Sequence, residues 1–168
     1  SMNLNSNNYD ISWRFSLCAL TLKDFKNGFL FYEDRWKREN PPKKKFDKIK
    51  SPKNIAEIKD KKILIWDEQG LGDTINFSRF VIDILKFTKK VTFVVDKKLK
   101  EILSSLDKEI HVVDYDNLNE IDYDFQISLG SLPKLLNILS TEDIKFYKLS
   151  LPEKNIHKKY IDNNKFNI

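Results

Sequence analysis

The sequence predicts an α/β fold in which a parallel sheet with flanking helices follows a pair of antiparallel helices. Three observations carry this. Before residue 40, aromatic and apolar residues recur at spacings of three and four, the helical period. After residue 60, short apolar runs alternate with longer amphipathic ones. The short runs are mostly apolar, Ile63-Leu64-Ile65-Trp66 throughout rather than at every second position, as in strands covered on both faces.

The elements follow in order. Trp13, Phe15, Leu17, Leu20 and Leu22, with Cys18 and Ala19, predict a first helix, and Lys23-Asp24 turns the chain. Phe25, Gly28, Phe29, Tyr32 and Trp36 predict a second. Cys18 is expected in the core as a small apolar residue. Pro41-Pro42 and Lys43-Lys44-Lys45 break the pattern, since paired prolines end a helix and disfavour another at once. Strand one is expected at Ile63–Asp67, its helix at Thr74–Thr88, and strand two at Val91–Val95. A second helix at Leu99–Leu106, strands at Ile110–Val113 and Phe125–Leu129, and a helix at Leu132–Leu139 complete the set. Pro133 is tolerable in the first turn of that last helix. The boundaries are a helix pair at 8–38, a basic linker at 39–60, an α/β domain at 61–150, and a connector with a truncated strand (Lys165–Ile168) at 151–168.

Composition narrows the function classes. Forty per cent hydrophobic residues suffice for a core in 168 residues, and no run approaches the ~20 apolar residues of a membrane span. A lone cysteine excludes an internal disulfide and fits a reducing compartment, so a cytoplasmic location is expected. His111 and His157 have no ligand spacing with each other or with Cys18, which argues against a metal. The net charge of +5 arises entirely within residues 1–60, where 13 basic residues face 8 acidic ones. Nine of those basic residues lie between Arg35 and Lys53. No aromatic platform alternates with these lysines as single-strand binders require, so a solvated linker is expected and no nucleic-acid partner.

Chemistry concentrates at Asp67-Glu68-Gln69-Gly70-Leu71-Gly72-Asp73-Thr74, where an apolar strand turns into a helix. Glycines admit close approach of a ligand, and the helix start aims free N–H groups at the same place. A dinucleotide loop would place a third glycine where Ile75 stands, although Asp96 occupies the position of a ribose-binding acid. A Walker loop is excluded, because no Gly-Lys-Ser/Thr follows. Asp73 is either a general base or the N-cap of a helix beginning at Thr74. Gln69 and Thr74 either bond a polyol or satisfy the turn, and Glu68 is expected to be a solvated strand end.

The Ile63–Phe80 run resembles the glycosyltransferase-like domain that follows tetratricopeptide repeats in many bacterial proteins. Asp24–Trp36 resembles the last such repeat, and the likeness together covers most of residues 10–150. The Leu71-Gly72-Asp73 core is similar to that of the heptosyltransferases of glycosyltransferase family 9. The resemblance implies a Rossmann-like domain, the N-terminal half of a GT-B fold, preceded by one tetratricopeptide-like hairpin. It further implies inverting, metal-independent transfer from a nucleotide sugar, with no other cofactor. In that reading Asp73 is the catalytic base, and Gln69, Gly70, Leu71, Gly72 and Thr74 bind a sugar or glycan acceptor. The nucleotide-sugar donor would bind a C-terminal half that is missing here, so the isolated chain is expected to be inactive. The alternative is a non-catalytic interaction module whose repeat docks a protein partner through Trp13 and Tyr32. A homodimer is compatible with either.

Overall fold

The computed structural model describes residues 8–118 and 122–149. Helices α1 (Tyr9–Thr21) and α2 (Phe25–Tyr32) form an antiparallel hairpin. Lys23, at φ 63°, makes the turn, and the Asp24 carboxylate caps α2 through the Asn27 N–H at 3.2 Å. Gly28 allows the helices to close, since a Cβ there would lie 2.5 Å from Leu20 Cδ2. A short 3₁₀ segment, Glu33–Lys37, ends the hairpin. The expected helix through Trp36 therefore stops a turn early as an α-helix. The hairpin is as expected; its kinship with a tetratricopeptide repeat is a matter of resemblance.

The sheet is parallel throughout, with strands β1 (Ile63–Trp66), β2 (Val91–Val95), β3 (Ile110–Asp114) and β4 (Phe125–Ser128) in the order β3-β2-β1-β4. Helix α3 (Leu71–Ile84) links β1 to β2, α4 (Lys97–Leu103) links β2 to β3, and α5 (Leu132–Leu135) follows β4. This is a Rossmann-like arrangement. The helix after β1 starts at Leu71 and not at Thr74. Helix α5 is one turn and not two, ending before Asn137 at φ 57°.

Strand alternation sorts side chains between the two faces. Ile63, Ile65, Phe93, Val95, Val112 and Ile127 join Phe80, Val81 and Ile84 of α3, Leu99 and Leu103 of α4, and Phe29 of α2 in the main core. Leu64, Trp66, Val94 and Val113 face the other way. The sheet is covered on both faces as expected, and among the described residues no α-helix packs into this second cluster. Trp36, Phe46 and Ile49 cover it instead, with Leu118 and Tyr123. Phe46 stacks edge-on to Trp66 at 6.1 Å between centroids. Segment 39–60 is thus more than a solvated tether: its lysines lie exposed as expected, while its apolar residues close the sheet. The physical reason is topological. Among the described residues the connection from β3 to β4 holds a short 3₁₀ turn, Tyr115–Asn117, and no α-helix, so other material buries that face.

Cys18 lies exposed on α1, not in the core. Ile11 (55 % exposed) and Phe15 (48 %) are also exposed on this helix, Phe15 meeting Phe31 of α2 edge-on at 5.4 Å between centroids, and Leu22 just beyond is 80 % exposed. The expected connector at 152–164 and strand at 165–168 lie outside the described residues.

Candidate functional site

Strand β1 sends its connection to β2 on one side, while β4 lies on its other side. Ligands in open α/β sheets bind at such a reversal, beyond the carboxyl ends of the strands. Here that crevice is filled by the protein itself. Arg35, 1 % exposed, enters from the 3₁₀ segment of the hairpin. Its Nε and Nη2 donate to the two oxygens of Glu68 at 3.1 and 3.0 Å. Nη2 also reaches Ser128 Oγ (3.1 Å) and Ser131 Oγ (2.9 Å) beyond β4. Nη1 donates to Glu33 (2.8 Å) and to the Tyr32 carbonyl (3.0 Å). Ser128 in turn donates to Glu68 at 2.6 Å. Burial works against the charge on Arg35, yet Glu68 and Glu33 outweigh it and hold the guanidinium above its ordinary pKa. Glu68 is therefore not a solvated strand end; its side chain is 2 % exposed.

A second polar knot lies one strand over. The Asp67 carboxylate accepts from the Asp96 N–H at 2.8 Å and from Lys45 Nζ at 2.8 Å. The Tyr115 hydroxyl donates to the same carboxylate. Burial, then the bonded Asp67 and the nearby Asp96, raise the Tyr115 pKa, so this phenol stays protonated and donates. Asp96 itself caps α4, its side chain accepting from the Lys98 N–H at 2.8 Å. That role absorbs the carboxylate which a ribose would need.

What remains open is the start of α3. Its N-cap is Gly70, so Asp73 is the third helical residue and not the cap. The reason is that Gly70, at φ −65° and ψ 168°, already takes the extended backbone of a cap, and Leu71 follows in the helix. The Asp73 carboxylate is exposed and makes no hydrogen bond or ion pair among the described residues. Neither glycine has positive φ. A Cβ on Gly72 would meet nothing within 4 Å, and one on Gly70 only Asp73 Oδ2 at 4.0 Å. Neither a positive φ nor close packing therefore calls for glycine at either position, although Gly70 serves as the cap; both leave bare backbone facing out.

The other loop residues divide. Thr74 is buried and donates to the Gly70 carbonyl at 3.1 Å, so it satisfies the turn and is closed to an acceptor. Gln69 is exposed, with its amide N–H on the Tyr32 hydroxyl. Leu71 is exposed at 40 %. Between Glu68, Asp73, Phe77 and Gly130 lies a niche of only about 10 Å³, so a ligand would sit on the rim and not in a pit. Tyr32 is buried, stacked on Phe77 at 6.4 Å, which overturns its place in a protein-docking groove. Trp13 is half-buried, with the Arg38 guanidinium 4.0 Å from its ring centroid.

Comparison with protein-family models, curated proteins and solved structures found no match. Among the described residues there is no helix long and apolar enough to cross a membrane, and no cluster of metal-ligating side chains. Sequence reasoning missed Arg35, Ser128, Ser131, Lys45 and Tyr115. A signal existed for one of them: Gln126 and Ser128 are polar positions inside an otherwise apolar strand.

Proposed function

We propose that this chain is the acceptor-side part of an inverting glycosyltransferase that uses a nucleotide sugar without a metal ion. Asp73 takes the proton of an acceptor hydroxyl as its oxygen attacks the anomeric carbon. The bond from that carbon to the nucleoside diphosphate breaks, and the diphosphate leaves with the electron pair. The observation that supports this is the unpaired, exposed Asp73 carboxylate beside backbone left bare at Gly70 and Gly72, beyond the end of β1. The free N–H groups of Leu71 and Gly72 offer bonds to acceptor oxygens. Gln69 and Leu71 flank that rim. The donor would be held by a second half of the complete protein, so this chain alone is expected not to turn over.

The test uses the complete protein and a panel of UDP-, GDP- and ADP-sugars, with nucleoside diphosphate release measured in EDTA. Asp73→Asn should lower release by about 10²–10⁴-fold, the usual worth of a general base. Its melting temperature should fall only slightly, since Asp73 makes no hydrogen bond or ion pair among the described residues and the loss is limited to its favourable place in the first turn of α3, about 0.3–1 kcal/mol. Retained turnover in Asp73→Asn removes the base assignment, and loss of turnover in EDTA removes the metal-free reading.

A second reading, an interaction module, draws on the exposed stripe of Ile11, Phe15, Cys18 and Leu22 along α1. It predicts that Phe15→Ser with Leu22→Ser abolishes an association seen by sedimentation, while Asp73→Asn does not. A chain that sediments as a monomer with or without the two serines removes self-association from this reading.

A further inference from the structure

One cleft among the described residues is unused by the reading above. It encloses about 270 Å³ on the second face of the sheet, between β4 and the segment that follows the hairpin. The Arg35–Glu68–Ser128 layer separates it from the Asp73 rim. Trp36 and Trp66 give it apolar surface. Its polar floor is organised: Trp66 Nε1 donates to Gln126 Oε1 at 2.5 Å, and Gln126 Nε2 donates to Ser51 Oγ at 2.7 Å. That leaves the Ser51 hydroxyl proton and one Gln126 N–H free to donate.

Charge at the rim is one-sided. Lys44 and Lys134 both line the cleft, and neither is paired with a carboxylate among the described residues. Lys44 lies over the Trp36 ring, 5.5 Å from its centroid. The lining carboxylate, Glu33, is already engaged by Arg35 at 2.8 Å and by Ser131 at 3.1 Å. Two unpaired cations therefore converge on a space with an apolar wall and spare hydrogen-bonding groups.

We propose that this cleft binds an acidic monosaccharide, with its carboxylate or phosphate on Lys44 and Lys134 and its ring against Trp36. A hydroxylated ring is favoured over an aromatic acid, because an aromatic body would leave the Ser51 hydroxyl proton and the second Gln126 N–H unpaired on desolvation. The volume lies just below the usual range for small-molecule sites, about 300–1,000 Å³, which suits one sugar ring and little more. The site is independent of Asp73.

The whole chain is titrated with D-glucuronate, D-glucose 6-phosphate and D-glucose at low salt, by tryptophan fluorescence and calorimetry. At least one acidic sugar should bind saturably and at least tenfold more tightly than glucose. The better of the two identifies the anion as carboxylate or phosphate. Lys44→Gln with Lys134→Gln should weaken that binding at least tenfold without lowering the melting temperature, both side chains being exposed. Asp73→Asn should leave it unchanged. Absence of binding by both acids, equal binding of glucose, or equal binding by the double glutamine variant overturns the proposal.

Discussion

Replacing Arg35 by methionine is the sharpest test of how the sheet end is built. The substitution keeps much of the apolar stem and removes the charge. Glu68 then remains 2 % exposed, holding only the Ser128 hydroxyl. Breaking a buried ion pair from one side costs about 3–5 kcal/mol, because the surviving charge is left in low dielectric. A domain of ordinary stability holds only about 5–15 kcal/mol in all, so the loss is severe. Glu33 adds less, being 23 % exposed and able to recover water. Urea unfolding followed by tryptophan emission measures the change. The double variant Arg35→Met/Glu68→Met removes both charges and should recover at least about 2 kcal/mol relative to the sum of the single losses, the coupling expected of contacting groups. A single loss below about 1 kcal/mol, or a double loss equal to the sum of the two singles, refutes the reasoning.

Three glycines and one aspartate give the remaining tests. Gly130→Ala puts a Cβ 2.1 Å from Glu68 Oε1, an atom pinned by Arg35, and should cost about 1–3 kcal/mol in the same unfolding assay. Gly28→Ala should cost a similar amount, about 1–3 kcal/mol, because Leu20 Cγ at 2.7 Å and its backbone N at 3.2 Å must both give way. Gly72→Ala goes the other way: helical, with open space, it should stabilise by about 0.5–1 kcal/mol. The Asp114 carboxyl, bonded by Lys100 and Asn117, is lowered to about 2 from 3.8. Its folded value lies below its unfolded one, so its contribution is full above about pH 4 and disappears as pH falls toward 2. Lys100→Met should flatten that part of an acid-unfolding curve.

The fold was legible because its signals are local. Apolar runs of four or five residues separated by helical patterns fix strands, and Lys23-Asp24 or Pro41-Pro42 mark breaks without reference to anything distant. Helix starts were less legible. Gly70 and Asp73 are both acceptable caps, and only the backbone decides between them. The buried polar layer was not legible at all. Arg35 and Glu68 are 33 residues apart, and Arg35 and Ser131 96, so each looks like a surface residue until the topology brings them together. Trp36, Phe46 and Ile49 were obscured in the same way, since lysines surround them in sequence while only the apolar three turn inward.

The sealing of the crevice bears directly on what the open rim is for. An arginine with both adjoining strands' ends on its guanidinium fills the middle of the strand reversal, where such sheets ordinarily take ligands, and leaves a niche of only about 10 Å³ on the Asp73 side. The opening shifts to the first turn of α3, the stretch where stability is left unclaimed. An alanine at Gly72 would strengthen the helix and touch nothing, yet the chain keeps glycine. Among the described residues nothing requires that choice, whereas a ligand or second domain meeting the backbone there would. Gly72→Ala therefore separates two explanations in one variant of the complete protein. If the glycine serves close approach, the variant gains stability and loses transfer. If stability rises and transfer is untouched, the rim is not where the acceptor lies, and Asp73 loses its neighbour's support as the base.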